Sequence, residues 1–357
     1  MPEDAQAATH MRAEIEQIPD VVEGLLRSDP APLEAAAAAF RRARPRLVRI
    51  VARGTSDHAA LYARYLVEVQ LGIPVSLVAP AVTTVYRAGW RSHGGVLIAI
   101  SQSGQGQDVV AISREARERG AVTIGVTNDP RAALARVSDH LLLCRAGPEQ
   151  AVPATKTYTL TLAVIAMLVA RIGRDAELSA GIEALPGVLR EGLAAASAWI
   201  ERERGDERAV GRFAAADRAL VVSRGYNLAT AMEIALKLKE SAGILAEGYA
   251  APDLLHGPIV LAGTKLPMLV FRPDGRMGRF VDDAIDAAVG RGALPYLVGG
   301  AEVARRSRAL SLESALPEAL TPMLFALPGQ LLSEAVARRR GLNPDSPEGL
   351  RKVTRTR

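Results

Sequence analysis

Short apolar runs alternate with helix-patterned segments along this chain, and the alternation starts twice. Residues 46–52 read as a strand, a Gly54-Thr55-Ser56 turn follows, and a helix runs to about residue 69. Further strands are expected at 75–78, 96–100, 122–126 and 140–144, with helices at 108–119 and 155–172. After a charged helical stretch at 174–217 the pattern restarts, with a strand at 219–223, a turn at Arg224-Gly225 and a helix at 227–242. Strands at 267–271 and 294–298 come next. A strand followed by Arg-Gly and a helix therefore occurs at Ala52-Arg53-Gly54 and again at Ser223-Arg224-Gly225. Continuous Val/Ile/Leu strands alternating with helices specify a parallel sheet covered on both faces. The restart implies an internal duplication. The expected class is α/β, with two tandem doubly wound units of three layers, helix–sheet–helix.

This divides the chain into an N-terminal helical segment (1–45), a first unit (46–175), a helical connector (176–217), a second unit (218–340) and a polar C-terminal tail (341–357). Within the first segment, helices are expected at 11–19 and at 32–42, the second stopped by Pro45. The last helix is expected at 328–340, with Pro328 in its first turn.

Composition removes several classes. Hydrophobic residues at 49% and charged residues at 23% exclude wholesale disorder. The single cysteine, Cys144, can form neither an intramolecular disulfide nor a cysteine-based zinc site. It reads as a small buried hydrophobe on a strand, in a reducing compartment. The net charge is +5, with basic residues scattered and no basic tract interleaved with aromatics. Nucleic acid is therefore not an expected partner, while an anionic small molecule suits the bias. The first residues are acidic and polar, unlike a signal peptide, and the longest apolar stretch, 160–170, is too short to span a membrane. A cytoplasmic protein without a membrane partner is expected.

Three features carry chemistry. Gly54-Thr55-Ser56 and Ser101-Gln102-Ser103-Gly104 each follow a strand and open a helix. In a parallel sheet both loops lie at the carboxyl ends of strands, where hydroxyls and free N–H groups can take a phosphate dianion. Either loop alone is explained as well by helix capping; the pair favours phosphate. Next, Glu233, Lys237 and Glu240 stand at i, i+4 and i+7 on one helix face. Two carboxylates around an ammonium can tune a general base, although such a face is more often simply solvated. Last, His256 lies in a Leu-His-Gly-Pro loop, a setting for acid/base work or for a plain loop residue. His58 follows Ser56 closely; His10, His93 and His140 read as surface or core. No His/Asp/Glu grouping has metal-ligand spacing, so neither metal nor cofactor is expected.

Taken together, Gly54-Thr-Ser56, Ser101-Gln-Ser-Gly104, Ala154-Thr-Lys156, Glu233-x3-Lys237-x2-Glu240, Ala246-Glu-Gly-Tyr249 and His256-Gly-Pro258 resemble a double SIS (sugar isomerase) domain. The similarity is to the isomerase half of the glucosamine-6-phosphate synthases over about residues 10–357, and the tail Asn343-Pro-Asp-Ser-Pro-x2-Leu-x-Lys352 also fits. The resemblance implies two tandem SIS domains. It implies that Ser56, Ser101, Gln102 and Ser103 hold the phosphate, with Thr55 and Ala154 beside them. It casts Glu240 as the base between C1 and C2, and His256 as the ring-opening residue, supplied across a homodimer interface. Lys352 becomes the tail lysine able to form an imine with the ketose, and Glu233 and Lys237 support the face.

The departures shape the expected activity. Only about 45 residues precede the first strand and Cys144 is the sole cysteine, so no glutaminase activity is expected. The family's Ser-Gln-Ser-Gly-Glu-Thr reads Ser101-Gln-Ser-Gly-Gln105-Gly106, and its Ser-Thr-Lys reads Ala154-Thr-Lys156. The second change and the tail wording look more like the stand-alone SIS deaminases and deglycases. The leading expectation is glucosamine 6-phosphate plus water giving fructose 6-phosphate plus ammonia. The alternatives are a galactosamine-6-phosphate deaminase/isomerase, a fructosamine-6-phosphate deglycase, ammonia-dependent synthesis, or a non-catalytic sugar-phosphate sensor.

Overall fold

The computed structural model describes residues 8–88 and 94–352. Three helices come first: α1 (His10–Glu16), α2 (Ile18–Leu26) and α3 (Ala31–Ala43). The first sheet unit runs β1 (Val48–Val51), α4 (Thr55–Leu71), β2 (Val75–Leu77), α5 (Pro80–Thr84), β3 (Val96–Ile100), α6 (Gln107–Glu118), β4 (Val122–Thr127), α7 (Ala133–Val137) and β5 (His140–Leu143). Helices α8 (Lys156–Gly173), α9 (Ala176–Arg202) and α10 (Ala209–Ala214) lead to the second. That unit runs β6 (Arg218–Ser223), α11 (Leu228–Ala242), β7 (Leu245–Ala250), α12 (Ala251–Leu255), β8 (Met268–Arg272), α13 (Arg276–Gly290), β9 (Tyr296–Gly299), β10 (Ala309–Ser311) and α14 (Thr321–Arg339).

Both sheets are five-stranded and parallel, ordered β2-β1-β3-β4-β5 and β10-β9-β8-β6-β7. Read from the other edge, the second repeats the order of the first, so the expected α/β class and its duplication are what the chain adopts. In each sheet the order reverses beside the first strand, between β1 and β3 and between β6 and β8. Such switch points open a crevice at the carboxyl ends of the strands. Strand residues alternate as the pleat requires. Val96, Ile98 and Ile100 face the main core, while Leu97 and Ala99 face a smaller one under α6 and α7. The main core lies between the sheets, and α9 contributes Leu185, Leu189 and Trp199 to it.

Several elements differ from expectation. The helix expected at 11–19 is divided, and Pro19 lies in the first turn of α2, where its missing N–H costs nothing. The last helix begins at Thr321 with Pro322 in its first turn, and Pro328 sits inside it. The run 321–337 is buried throughout, so packing holds this helix across the hydrogen bond that Pro328 cannot make. Strands β7 and β10 and helix α7 carried no clear pattern: β7 is an edge strand bearing Glu247 and Gly248, and β10 has three residues. Helix α8 is, by length and composition, long enough to cross a membrane, unlike the shorter stretch 160–170. It is instead mostly buried inside the protein, as a core helix. Cys144 falls one residue past β5 and is buried, 3.4 Å from the Thr161 hydroxyl. Burial pushes its thiol up to about 12, which makes it an inert core residue. His10 opens α1, His140 opens β5, and His93 lies outside the described residues.

Candidate active site

A cleft of about 570 Å³ opens at the carboxyl ends of β1 and β3. Its walls bring together most of the residues singled out by sequence: Thr55 and Ser56, Ser101 to Ser103, Ala154, Glu240 and Lys352. They come from two strand–helix loops, the segment before α8, the far end of α11 and the C-terminal tail.

The loops are held by backbone chemistry. Ser101 N–H donates to Val126 at 3.0 Å, and the Gln102 carbonyl accepts from Asn128 N and Thr127 Oγ1 at 3.0 and 3.1 Å. Gly104 closes the turn onto Ser101 at φ +60°. A Cβ there would stand 2.4 Å from Ala132 Cβ and 2.8 Å from Thr127 Oγ1. Helices α4 and α6 start next to the cleft, so their first N–H groups and dipoles favour an anion there. Gly104→Ala is expected to displace the serine hydroxyls and to weaken any anion bound at this loop, inorganic phosphate being the probe, at least tenfold, since misplacement near 1 Å can cost about 10²-fold. Calorimetric titration checks this, and unchanged affinity would remove this loop from the anion site.

The helix face of α11 is not solvated. Glu233 and Lys237 are fully buried, and Glu240 is a quarter exposed at the cleft wall. Lys237 Nζ lies 3.4 Å from Glu233 Oε1, donates to Thr55 Oγ1 at 3.2 Å, and pairs closely with Glu240 Oε2. Thr55 in turn donates to Glu233 Oε1 at 3.2 Å. Burial opposes the Lys237 charge, but the carboxylates of Glu233 and Glu240 outweigh it and the lysine pKa is raised. The face thus ties the loop at Thr55 to the cleft carboxylate.

Other contacts carried weaker or no sequence signal. His58 Nδ1 lies 2.7 Å from Glu233 Oε2 and completes the network; only its closeness to Ser56 hinted at this. Glu149 is fully buried, takes the Lys352 ammonium at 2.7 Å, and also accepts from Thr155 N, Thr157 N and Thr157 Oγ1. It had no motif to mark it. The tail is led back to the cleft by Asp345, whose carboxylate accepts from His10 N and Met11 N at 2.8 and 2.7 Å and whose carbonyl accepts from Val152. Lys156 points elsewhere, to Gln17 Oε1 at 2.7 Å. His256 is exposed at the end of α12 and does not line the cleft of its own chain.

An anion anchor at one end, and a carboxylate and an amine at the other, suit proton transfer along an extended phosphorylated substrate. Known proteins resemble this chain along most of its length. The glutamine–fructose-6-phosphate aminotransferase (isomerizing) of Methanothermobacter thermautotrophicus is 36% identical over 306 residues, covering 85% of this chain and 50% of the relative. The chain therefore spans about half the length of that curated relative. The C-terminal domain of glucosamine-fructose-6-phosphate aminotransferase from Francisella tularensis superposes with a TM-score of 0.84 at 27% identity, over 97% of this chain and 100% of that one. A candidate phosphosugar isomerase from Silicibacter pomeroyi superposes with a TM-score of 0.83 at 34% identity, over 95% and 100%. SIS domain sequences match residues 42–171 and 212–332, one stretch for each sheet, and the chain belongs to the SIS domain family.

Proposed function

We propose that the protein is an amino-sugar-phosphate deaminase that converts glucosamine 6-phosphate and water into fructose 6-phosphate and ammonia. One observation carries the reading: a single cleft joins the Ser/Gln loop, Glu240 and Lys352. The phosphate docks on Ser56, Ser101, Gln102 and Ser103, which fixes the open chain with C1 and C2 toward Glu240. Glu240 takes the C2 proton while the substrate's C2 ammonium group passes one to O1, leaving an enolamine; Glu240 then returns its proton to C1, which becomes CH2OH while C2 becomes an iminium. Water adds to C2 and ammonia leaves, which balances the reaction. Lys352 lines the cleft and pairs with Glu149, which supports a role in taking the same C2 carbon as an imine and passing it to water. Relatives that share this chemistry in name join nitrogen to fructose 6-phosphate, and synthesis from free ammonia is the same path reversed.

Ring opening needs a separate acid/base, and His256 does not line the cleft of its own chain. A homodimer in which each His256 serves the partner's site fits both facts. The test incubates the protein with glucosamine 6-phosphate, without glutamine, and follows ammonia and fructose 6-phosphate. Equal release of the two supports the deaminase; no release, with none from galactosamine or fructosamine phosphates either, would leave a sugar-phosphate sensor. His256→Ala chains mixed with Glu240→Gln chains are expected to regain up to about a quarter of native turnover, since random exchange puts one intact site in half the dimers. Absence of any recovery under exchange would refute the shared site.

A further inference from the structure

We propose that Arg53 is a substrate-binding residue whose guanidinium pairs with the phosphate in the cleft and sets the preference for phosphorylated over free sugars. The proposal rests on the phosphosugar reading of this cleft and adds a cation to it.

Arg53 lies two residues past the end of β1 and lines the cleft with Ser56 and the Ser101–Ser103 loop. Those loop groups are neutral hydrogen-bonding partners, and a phosphate near neutral pH carries close to two negative charges. Of the other cations at the cleft, Lys352 pairs with buried Glu149 and Lys237 with Glu233 and Glu240, while Arg351 lies on the exposed tail and, unlike Arg53, has no carboxylate partner among the described residues to fix its direction. Arg53 is about half exposed and donates through Nε to Asp108 Oδ2 at 2.6 Å. The structure shows no other hydrogen bond from this guanidinium among the described residues. Five N–H donors on a rigid plane, one of them used, leave a fork able to take two phosphate oxygens.

Asp108 supplies the aim. It is buried on the first turn of α6, and its other oxygen accepts from Val109 N at 2.9 Å. A fixed carboxylate thus holds one edge of Arg53 at the mouth of the anion site. The duplicated unit offers an internal contrast. Arg224 holds the equivalent place after β6, but its guanidinium lies 4.3 Å over the Phe280 ring, and the loop after β8 reads Pro273-Asp274-Gly275, without serines. The same sequence position is directed to an aromatic ring where no serine loop exists, and toward the serine loop where one does. The rival explanation makes the Arg53–Asp108 pair a clasp between two loops, of value only to stability.

Glucitol 6-phosphate separates these, because it has the phosphate but no carbonyl to react. Its binding, and that of inorganic phosphate, would be measured by calorimetry for the native protein, Arg53→Gln, Arg53→Lys and Ser103→Ala, with a melting curve for each. Arg53→Gln is expected to weaken both ligands about 10–100-fold, the range for a hydrogen bond to a charged group, with Arg53→Lys in between and melting temperatures nearly unchanged. Equal affinity for native and Arg53→Gln protein, with Ser103→Ala weakened, would overturn the proposal and leave the clasp. Failure of the native protein to bind either ligand would remove the phosphate site and Arg53 together. Binding with the expected losses but no turnover of glucosamine 6-phosphate would sustain Arg53 and reject only the deaminase assignment.

Discussion

Replacing Glu240 by glutamine is expected to lower kcat on glucosamine 6-phosphate by about 10²–10⁴-fold, the usual contribution of a positioned acid–base group. That equals roughly 3–5 kcal/mol of barrier. Glutamine keeps the volume and can still accept the hydrogen bond that Lys237 gives Glu240 Oε2, so the network is disturbed little. What it lacks is basicity. The loops proposed to hold the phosphate lie on other elements, after β1 and β3, so KM is expected to change far less than kcat. A second readout isolates the step. In heavy water the native protein is expected to exchange the C2 proton of glucosamine 6-phosphate, and Glu240→Gln is expected to abolish that exchange even where slow turnover persists. A variant that turns over and exchanges like the native protein would remove Glu240 as the base.

The sequence carried the fold because its signal is regional. The run 96–100 reads as a buried strand wherever it is placed, and the Arg-Gly turn after β1 recurs after β6. Local rules failed where tertiary packing decides. Pro328 looked like a helix start because nothing local reveals that 321–337 is enclosed on all sides. β7 escaped notice because an edge strand with Glu247, Gly248 and a half-exposed Tyr249 lacks an apolar run.

The site follows the same division. Spacing alone put Glu233, Lys237 and Glu240 on one face, but could not say whether that face meets water or the first sheet unit. The answer depends on the packing of α11 against α4, which carries Thr55 and His58 to Glu233. Glu149 was invisible for a different reason. Its local partners Thr155 and Thr157 form no recognisable motif, and Lys352 joins it only once the tail has been led back by Asp345 to the α1 amides. Thus the N-terminal helices, the least informative part of the sequence, serve to seat a tail that lines the cleft.

Lys237→Met is the second large effect, and here stability is expected to fall with activity. The ammonium is fully buried between two carboxylates and donates to Thr55. Removing one partner from a buried charge network typically costs about 3–5 kcal/mol, because the remaining charges stay desolvated without compensation. Methionine fills similar space, so the loss reports charge more than a cavity. The second substitution in Glu233→Gln/Lys237→Met is expected to restore part of the lost stability, since it withdraws the carboxylate left behind; a double variant no better than the single would show that packing, not charge, dominates. The pH dependence has a definite sign. The native Lys237 pKa is raised above its ordinary 10.5. A group raised on folding contributes its full stabilisation below the unfolded value and loses it as pH climbs through the folded one. The gap in melting temperature between native and Lys237→Met protein is therefore expected to stay level from pH 6 to 9 and to close only above about 10.5. A gap that changes between pH 6 and 9, or that never closes in alkali, would overturn the assignment of the loss to the lysine charge.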